Sequence, residues 1–308
     1  MSQVCASPHM LSGHKGTVIH LSFLPAGDRI LSAALDGTVR IWDLNSGAQE
    51  RCLRILPWNR RLRIPHCLVD LALSPDGRLL AVGDQESDLV LWDLAKEERI
   101  HTIPVESDWS GAPMFSPDGR LLIWTAGSPS ELRMLDIRTK SFLGAASLGS
   151  EYVAAKAIAP DGCRVACTCE DDTIRIWDIA SERFTLTIRD AVEEIADLVF
   201  SPDGRLVAGV RHLTRDSIAV WDAFSGRIVS LMDGHTDLVT AIAFAGTGHR
   251  LFSTSHDNTL RTWDATSGRQ GPITRHHHAP VVTLAASRDG RLVATGGAER
   301  TIRLWKVR

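Results

Sequence analysis

Residues 13–43 read GHKGTVIHLSFLPAGDRILSAALDGTVRIWD, and the order of residue types in this stretch decides the fold. Three short runs, Val18 to Phe23, Arg29 to Ser32 and Thr38 to Trp42, are rich in β-branched and apolar residues and are broken by Pro-Ala-Gly and Asp-Gly. Proline removes a ladder donor and glycine reaches positive φ freely, so these interruptions are turns. No segment of the chain holds a 3.6-residue apolar period for three turns, so strands joined by tight turns are predicted throughout, about four to a unit.

The stretch recurs. Trp-Asp stands at Trp42, Trp92, Trp177, Trp221 and Trp263, with Leu135-Asp136 and Trp305-Lys306 in register, at successive spacings of 50, 43, 42, 44, 42 and 42. A turn punctuates each unit: Pro25 to Gly27, Ser74 to Gly77, Ser116 to Gly119, Ala159 to Gly162, Ser201 to Gly204, Ala245 to Gly248 and Ser287 to Gly290. A fixed period near 42 residues, repeated seven times, means that one supersecondary unit is stacked on copies of itself.

These residues resemble the WD40 repeat family, through Gly13-His14 and Gly234-His235, the Ser-Pro-Asp-Gly turns and the Trp-Asp ends, over essentially the whole chain. The resemblance implies an all-β, seven-bladed β-propeller of four-stranded antiparallel blades, residues 1–308 forming one domain. The last unit ends after its third strand, so residues from about Val4 to Leu11 are expected to supply the fourth and close the ring.

His14, Ser32, Asp36 and Trp42 recur as His235, Ser253, Asp257 and Trp263, and again as His277, Thr295, Glu299 and Trp305. A Ser-His-Asp set suggests nucleophilic catalysis. Three near-identical copies, each ending in an indole donor, instead suit the family's structural tetrad, in which hydrogen bonds run from Trp through Ser or Thr and His to the carboxylate. Other units depart from it: Val82 and Glu86 in the second, Pro129 in the third, Gly149 and Cys167 in the fourth, Arg215 in the fifth. Polar networks are expected to be weaker there.

The 308 residues carry 34 Lys plus Arg and 37 Asp plus Glu, for a net charge of -3, and 44% of them are apolar. This excludes a disordered or strongly basic chain. Neither a signal sequence nor an 18-residue apolar run is present, so the expected location is cytoplasmic, or another intracellular compartment, with no membrane partner. Cys163, Cys167 and Cys169 lie on one predicted strand and share a face by alternation, but lack the Cys-x2-Cys spacing of a zinc site. They are expected to be core residues. Adjacent His276, His277 and His278 would alternate between faces, so no metal and no cofactor is expected. Phosphate-binding glycine loops are absent from the sequence.

The interval from Trp42 to Trp92 is the long one, and its excess falls in residues 51–66, RCLRILPWNRRLRIPH, expected to be a loop between units. Trp58, Arg60, Arg61 and Arg63 there, with Trp109 in the equivalent stretch one unit on, are the candidate partner-binding residues. Indole offers large buried area and guanidinium a planar fork for carboxylates or phosphates. The expected function is a non-catalytic protein-protein interaction scaffold or adaptor binding a peptide or protein. Nucleic-acid binding through 51–66 is the alternative, against which the net charge weighs. A propeller enzyme is a lesser reading, as is a ubiquitin-ligase substrate adaptor, for which Asp36, Arg40, Trp42 and Asp43 resemble part of a receptor motif that also arises in ordinary repeats.

Overall fold

The computed structural model describes residues 9–55, 70–83, 88–104, 112–127, 129–148, 150, 153, 155–189, 195–211, 217–246, 248–275 and 277–307. Their 28 strands form seven four-stranded antiparallel sheets, with no helix among the described residues. The fold class is an all-β, seven-bladed propeller.

The first sheet shows the plan: Val18–Phe23, Arg29–Ala34, Thr38–Asp43 and Gln49–Arg54 pair in chain order as a meander. The sixth repeats it with Val239–Ala245, Arg250–Ser255, Leu260–Asp264 and Gln270–Thr274. In the seventh, Val281–Ala286, Leu292–Gly297 and Thr301–Lys306 are joined at the outer edge by His9–Ser12 from the other end of the chain. Leu11 pairs with Ile302 there and is buried.

Each turn motif has a local physical cause. In Ser-Pro-Asp-Gly the serine hydroxyl donates to the aspartate two residues on, at 2.5 Å from Ser74 to Asp76 and 2.6 Å from Ser201 to Asp203. The glycine then takes φ near +70°, at Gly77 and Gly204, where a side chain is disfavoured. The aspartate after tryptophan closes the next turn: Asp43 accepts from Ser46 N and Oγ, and Asp178 from Ser181 N and Oγ. These carboxylates are structural caps. A register shift precedes the tryptophan position in the outer pairing of the first to sixth sheets, as between Ile41 and Trp42, and such bulges add twist.

The chain forms two compact units, Met1–Pro65 with Ala196–Arg308, and His66–Ile195. In each, the apolar core lies between neighbouring sheets. In the first unit, Leu11, Val18, Leu21, Ile30 and Trp42 pack with Ala294, Ile302 and Leu304, and Phe252 and Leu260 pack with Val293 and Trp305. In the second, Ile123, Leu132 and Met134 meet Val165, Cys167 and Trp177. Each buried indole removes on the order of 200 Å² from water, which makes tryptophan the largest single contributor at each contact.

Candidate functional site

Three polar networks cross the first, sixth and seventh sheets. Trp42 Nε1 donates to Ser32 Oγ at 2.8 Å, Ser32 Oγ lies 2.8 Å from His14 Nε2, and His14 Nδ1 lies 3.1 Å from Asp36 Oδ2. In the sixth sheet Trp263 reaches Ser253 at 2.8 Å, Ser253 meets His235 at 2.7 Å and His235 meets Asp257 at 2.8 Å. In the seventh, Trp305 donates to Thr295 at 2.9 Å, Thr295 is 2.8 Å from His277, and His277 Nδ1 is 3.5 Å from Glu299.

One proton assignment satisfies each chain. The indole donates to the hydroxyl, the hydroxyl to Nε2, and the Nδ1 hydrogen to the carboxylate, which requires a neutral imidazole. Burial accordingly holds His14 below its ordinary value, against the pull of Asp36. Burial also works to raise Asp36, but hydrogen bonds from Thr38 and Lys15, and then from His14, outweigh it and hold the carboxyl at about 2. Asp257 is lowered in the same way, with bonds from His235 and Thr259 outweighing its burial.

The bond order is that of a hydrolytic triad, and what separates the two is access. Ser32, Ser253 and Thr295 are each 0% exposed, and each hydroxyl oxygen already accepts an indole hydrogen. A nucleophile needs an open approach to substrate, which none of these buried hydroxyls has.

Residues outside the tetrads extend the networks. Thr38 Oγ1 donates to Asp36 at 2.6 Å and Thr259 Oγ1 to Asp257 at 2.6 Å. Arg40 Nη1 donates to Gln49 at 2.5 Å and Arg261 Nη1 to Gln270 at 2.7 Å. The same arginine crowds the glycine before His14 and before His235: a Cβ at Gly13 would stand 2.5 Å from Arg40 Nη1 and one at Gly234 2.7 Å from Arg261 Nη1. The sequence signal for the arginine-glutamine pair is a glutamine seven residues after the tryptophan, at Gln49 and Gln270.

The family model described as WD domain, G-beta repeat, matches residues 5–43, 59–93, 152–178, 226–264 and 270–306. The chain belongs to the WD40 family. Among similar curated proteins, the nuclear distribution protein PAC1 of Arthroderma otae is 28% identical over 82% of this chain and 60% of its own length. Nuclear distribution protein nudF of Aspergillus niger is 25% identical over 77% of this chain and 46% of its own. Striatin-4 of Mus musculus is 29% identical over 56% of this chain and 22% of its own. This WD40 chain thus spans at most about 60% of the length of these relatives.

Elsewhere the WD40 pattern is incomplete and its polar networks are thinner. Cys167 stands ten residues before Trp177, where Ser32 stands before Trp42, and Trp177 Nε1 has no hydrogen-bond partner among the described residues. Trp221 is in the same condition, with Arg211 at the serine position. Glu86, Gly149 and Arg215 lie outside the described residues.

The candidate partner residues Trp58, Arg60, Arg61, Arg63 and Trp109 also lie outside the described residues. One part of the expected loop is corrected: residues 51–54 belong to the outer strand Gln49–Arg54, and Ile55 beyond it is buried. The cysteines do not share one strand face either. Cys163 is exposed in the turn before Arg164–Thr168, whereas Cys167 is buried within that strand and Cys169 is buried just past it. Burial pushes the Cys167 thiol up to about 12, which suppresses thiolate chemistry. His277 is buried and His278 exposed, and His276 is outside the described residues. Among the described residues no group of three or more His, Cys, Asp or Glu is placed to hold a metal ion, and no helix is long and apolar enough to cross a membrane.

Proposed function

We propose that the chain is a non-catalytic interaction scaffold, binding a peptide or protein partner through loops held by its rigid sheets. The observation that carries this reading is the state of the Ser-His-Asp sets. Among the described residues these sets, with their Thr-His-Glu counterpart in the seventh sheet, are the arrangement most like catalytic machinery, and all three are sealed structural networks with a tryptophan on the hydroxyl. Membership of the WD40 family supports the same class, since such scaffolds position variable loops, and function resides in those loops.

Within this reading, residues 51–66 and Trp109 are the proposed contact, on the strength of the arginines around Trp58. An acidic partner segment suits that charge. An intracellular setting belongs to the proposal, consistent with Cys52, Cys163, Cys167 and Cys169 being free thiols.

The test is affinity capture from native lysate with the full chain and with a variant carrying Trp58, Arg60, Arg61 and Arg63 as alanine, circular dichroism first showing both folded. The expected result is a stoichiometric partner held by the wild type and lost from the variant. Retention by both would remove this stretch from the binding surface.

A further inference from the structure

The outer strand of the fifth sheet differs from its counterparts at four equivalent positions. Three, seven, eight and ten residues after the tryptophan stand Phe224, Ile228, Val229 and Leu231. The first sheet has Asn45, Gln49, Glu50 and Cys52 there, and the sixth has Thr266, Gln270, Gly271 and Ile273. Of the first six sheets, no other holds more than two large apolar residues at these places. All four side chains of the fifth are exposed, from 36% at Val229 to 65% at Phe224. Exposed apolar side chains scattered singly need no explanation, but a cluster of them marks an interaction surface.

Ile228–Asp233 is the last strand of its sheet. Ser230 and Met232 turn inward: Ser230 Oγ donates to the Ala265 carbonyl oxygen at 2.6 Å, and Met232 joins a core shared with Val239 and Trp263 of the sixth sheet. Leu231 and Asp233 alternate to the other side and are exposed. A register shift opposite Val220 and Trp221 leaves Val229 without a ladder partner and interrupts the regular hydrogen-bonding edge. A strand bulged in this way resists open-ended edge addition, so its side chains rather than its backbone are what it offers to a partner.

Charge says what this strip fits. Arg227 stands at one end and Asp233 at the other, about 20 Å apart at roughly 3.3 Å per strand residue, with no charged residue between them. Both are exposed, and neither side chain has an ion-pair partner among the described residues. The strip thus runs positive, apolar, negative. Its complement must run negative, apolar, positive, which is the same strip turned end for end. A parallel copy would set like charges against each other, whereas an antiparallel one opposes unlike charges at both ends.

We infer that the outer strand of the fifth sheet is a self-association surface, on which a second copy of this chain packs antiparallel across a twofold axis. Arg227 of each copy pairs with Asp233 of the other, and Ile228, Val229 and Leu231 are covered between them. Such a contact uses the same patch on both chains and closes at two. The strip is smaller than the roughly 800 Å² per partner of a standard interface, so the dimer is a reversible one. The exposed ion pairs set its orientation more than its affinity. This surface is separate from residues 51–66, and the scaffold reading does not depend on it.

The test is sedimentation equilibrium of the full chain over a concentration series reaching the high micromolar range, with melting curves first showing every variant folded. The expected result is a mass that rises from one chain to two and levels there. Leu231→Glu should weaken the dimer by about tenfold or more, since it buries an unpaired charge in the contact. Arg227→Glu and Asp233→Arg, each alone, should weaken it by opposing like charges, and mixing these two variants should recover association, because each then meets its opposite in the other. The charge variants carry the test by themselves if Leu231→Glu does not fold. A wild type that stays monomeric throughout would overturn the proposal, as would a mass climbing past two chains without levelling, the sign of head-to-tail assembly. A dimer indifferent to Leu231→Glu and to the charge variants would put the contact elsewhere, and a mixture no better than its two components would overturn the antiparallel pairing. Binding of a purely monomeric chain to phosphatidylserine vesicles, lost in Leu231→Glu, would overturn the second copy in favour of a lipid surface. None of these outcomes bears on the Trp58 capture, which tests the scaffold reading separately.

Discussion

Trp263 and Trp221 are both fully buried, but only Trp263 finds an acceptor for its indole hydrogen among the described residues. Replacing each by phenylalanine removes similar apolar area, so the difference between the two variants isolates the hydrogen bond. Trp263→Phe should cost about 1–3 kcal/mol more than Trp221→Phe, because it deletes a satisfied bond, whereas the second removes a donor that was already stranded. Chemical denaturation of both variants measures this, and equal losses would mean that the indole bond contributes nothing net. Asp36 makes a second prediction. Its folded value of about 2 lies below the ordinary 3.8, so the stability it confers is complete above about pH 4 and is lost as pH falls through about 2. Asp36→Asn should therefore flatten the acid limb of the unfolding curve in that window while lowering stability at pH 7. An acid limb identical to the wild type would show that Asp36 is not a group whose protonation unfolds the sheet.

Elements show where the sequence is legible and where it stops. Strand content, turn positions and the seven-fold period are readable because Pro, Gly and Asp mark the turns with their own backbone chemistry and tryptophan marks the third strand of every sheet but the one carrying Leu135. The loop over residues 51–66 was read too long at its start, because a bulge and four further strand residues follow Gln49 without any turn residue to signal them. The common face assigned to Cys163, Cys167 and Cys169 failed for a similar reason: alternation applies only inside a strand, and the described strand is Arg164–Thr168. Two elements carry predictions. His9–Ser12 is fixed to the seventh sheet by Leu11, so Leu11→Ala should cost about 2–5 kcal/mol, and deleting residues 1–11 should lower the melting temperature substantially. An unchanged melting curve for the deletion would mean that this strand adds nothing to the sheet it pairs with. In the inner strand Ile195–Phe200, burial raises Asp197 to about 6, against the hydrogen bonds from Ile242 N and Leu198 N. A raised carboxyl contributes its stability below its unfolded value and loses it as pH climbs through the folded one. Asp197→Asn, which keeps an acceptor for Ile242, should abolish the decline between about pH 4 and pH 6 and raise the melting temperature at pH 7; a pH profile unchanged by the substitution would remove Asp197 as its source.

For the whole molecule, the uneven distribution of polar networks predicts where it opens. The first and sixth sheets each carry a closed Trp-hydroxyl-His-carboxylate chain and the seventh a looser one, its histidine 3.5 Å from Glu299, and all three belong to the unit containing Ala196–Arg308. In the unit His66–Ile195, Val82 and Cys167 take the serine position and Leu135 a tryptophan position, and Trp124 and Trp177 carry indole hydrogens with no acceptor among the described residues. Apolar packing in the two units is of the same kind, with fully buried Leu80, Leu122 and Val165 matching Ile30, Leu251 and Val293. The difference therefore lies in register-fixing bonds, whose loss permits local opening at lower free energy. Amide hydrogen exchange at neutral pH should show the second strands Leu79–Gly83 and Arg164–Thr168 exchanging at least tenfold faster than Arg29–Ala34 and Arg250–Ser255, although all four hold the same place in their sheets. Asp257→Ala should then bring Arg250–Ser255 toward the faster class and leave Leu79–Gly83 as it was, since the removed carboxylate belongs to one sheet only. Uniform protection across the four strands, or a uniform loss on that substitution, would mean that the molecule opens as a single cooperative body and that the tetrads set its total stability without deciding where it yields.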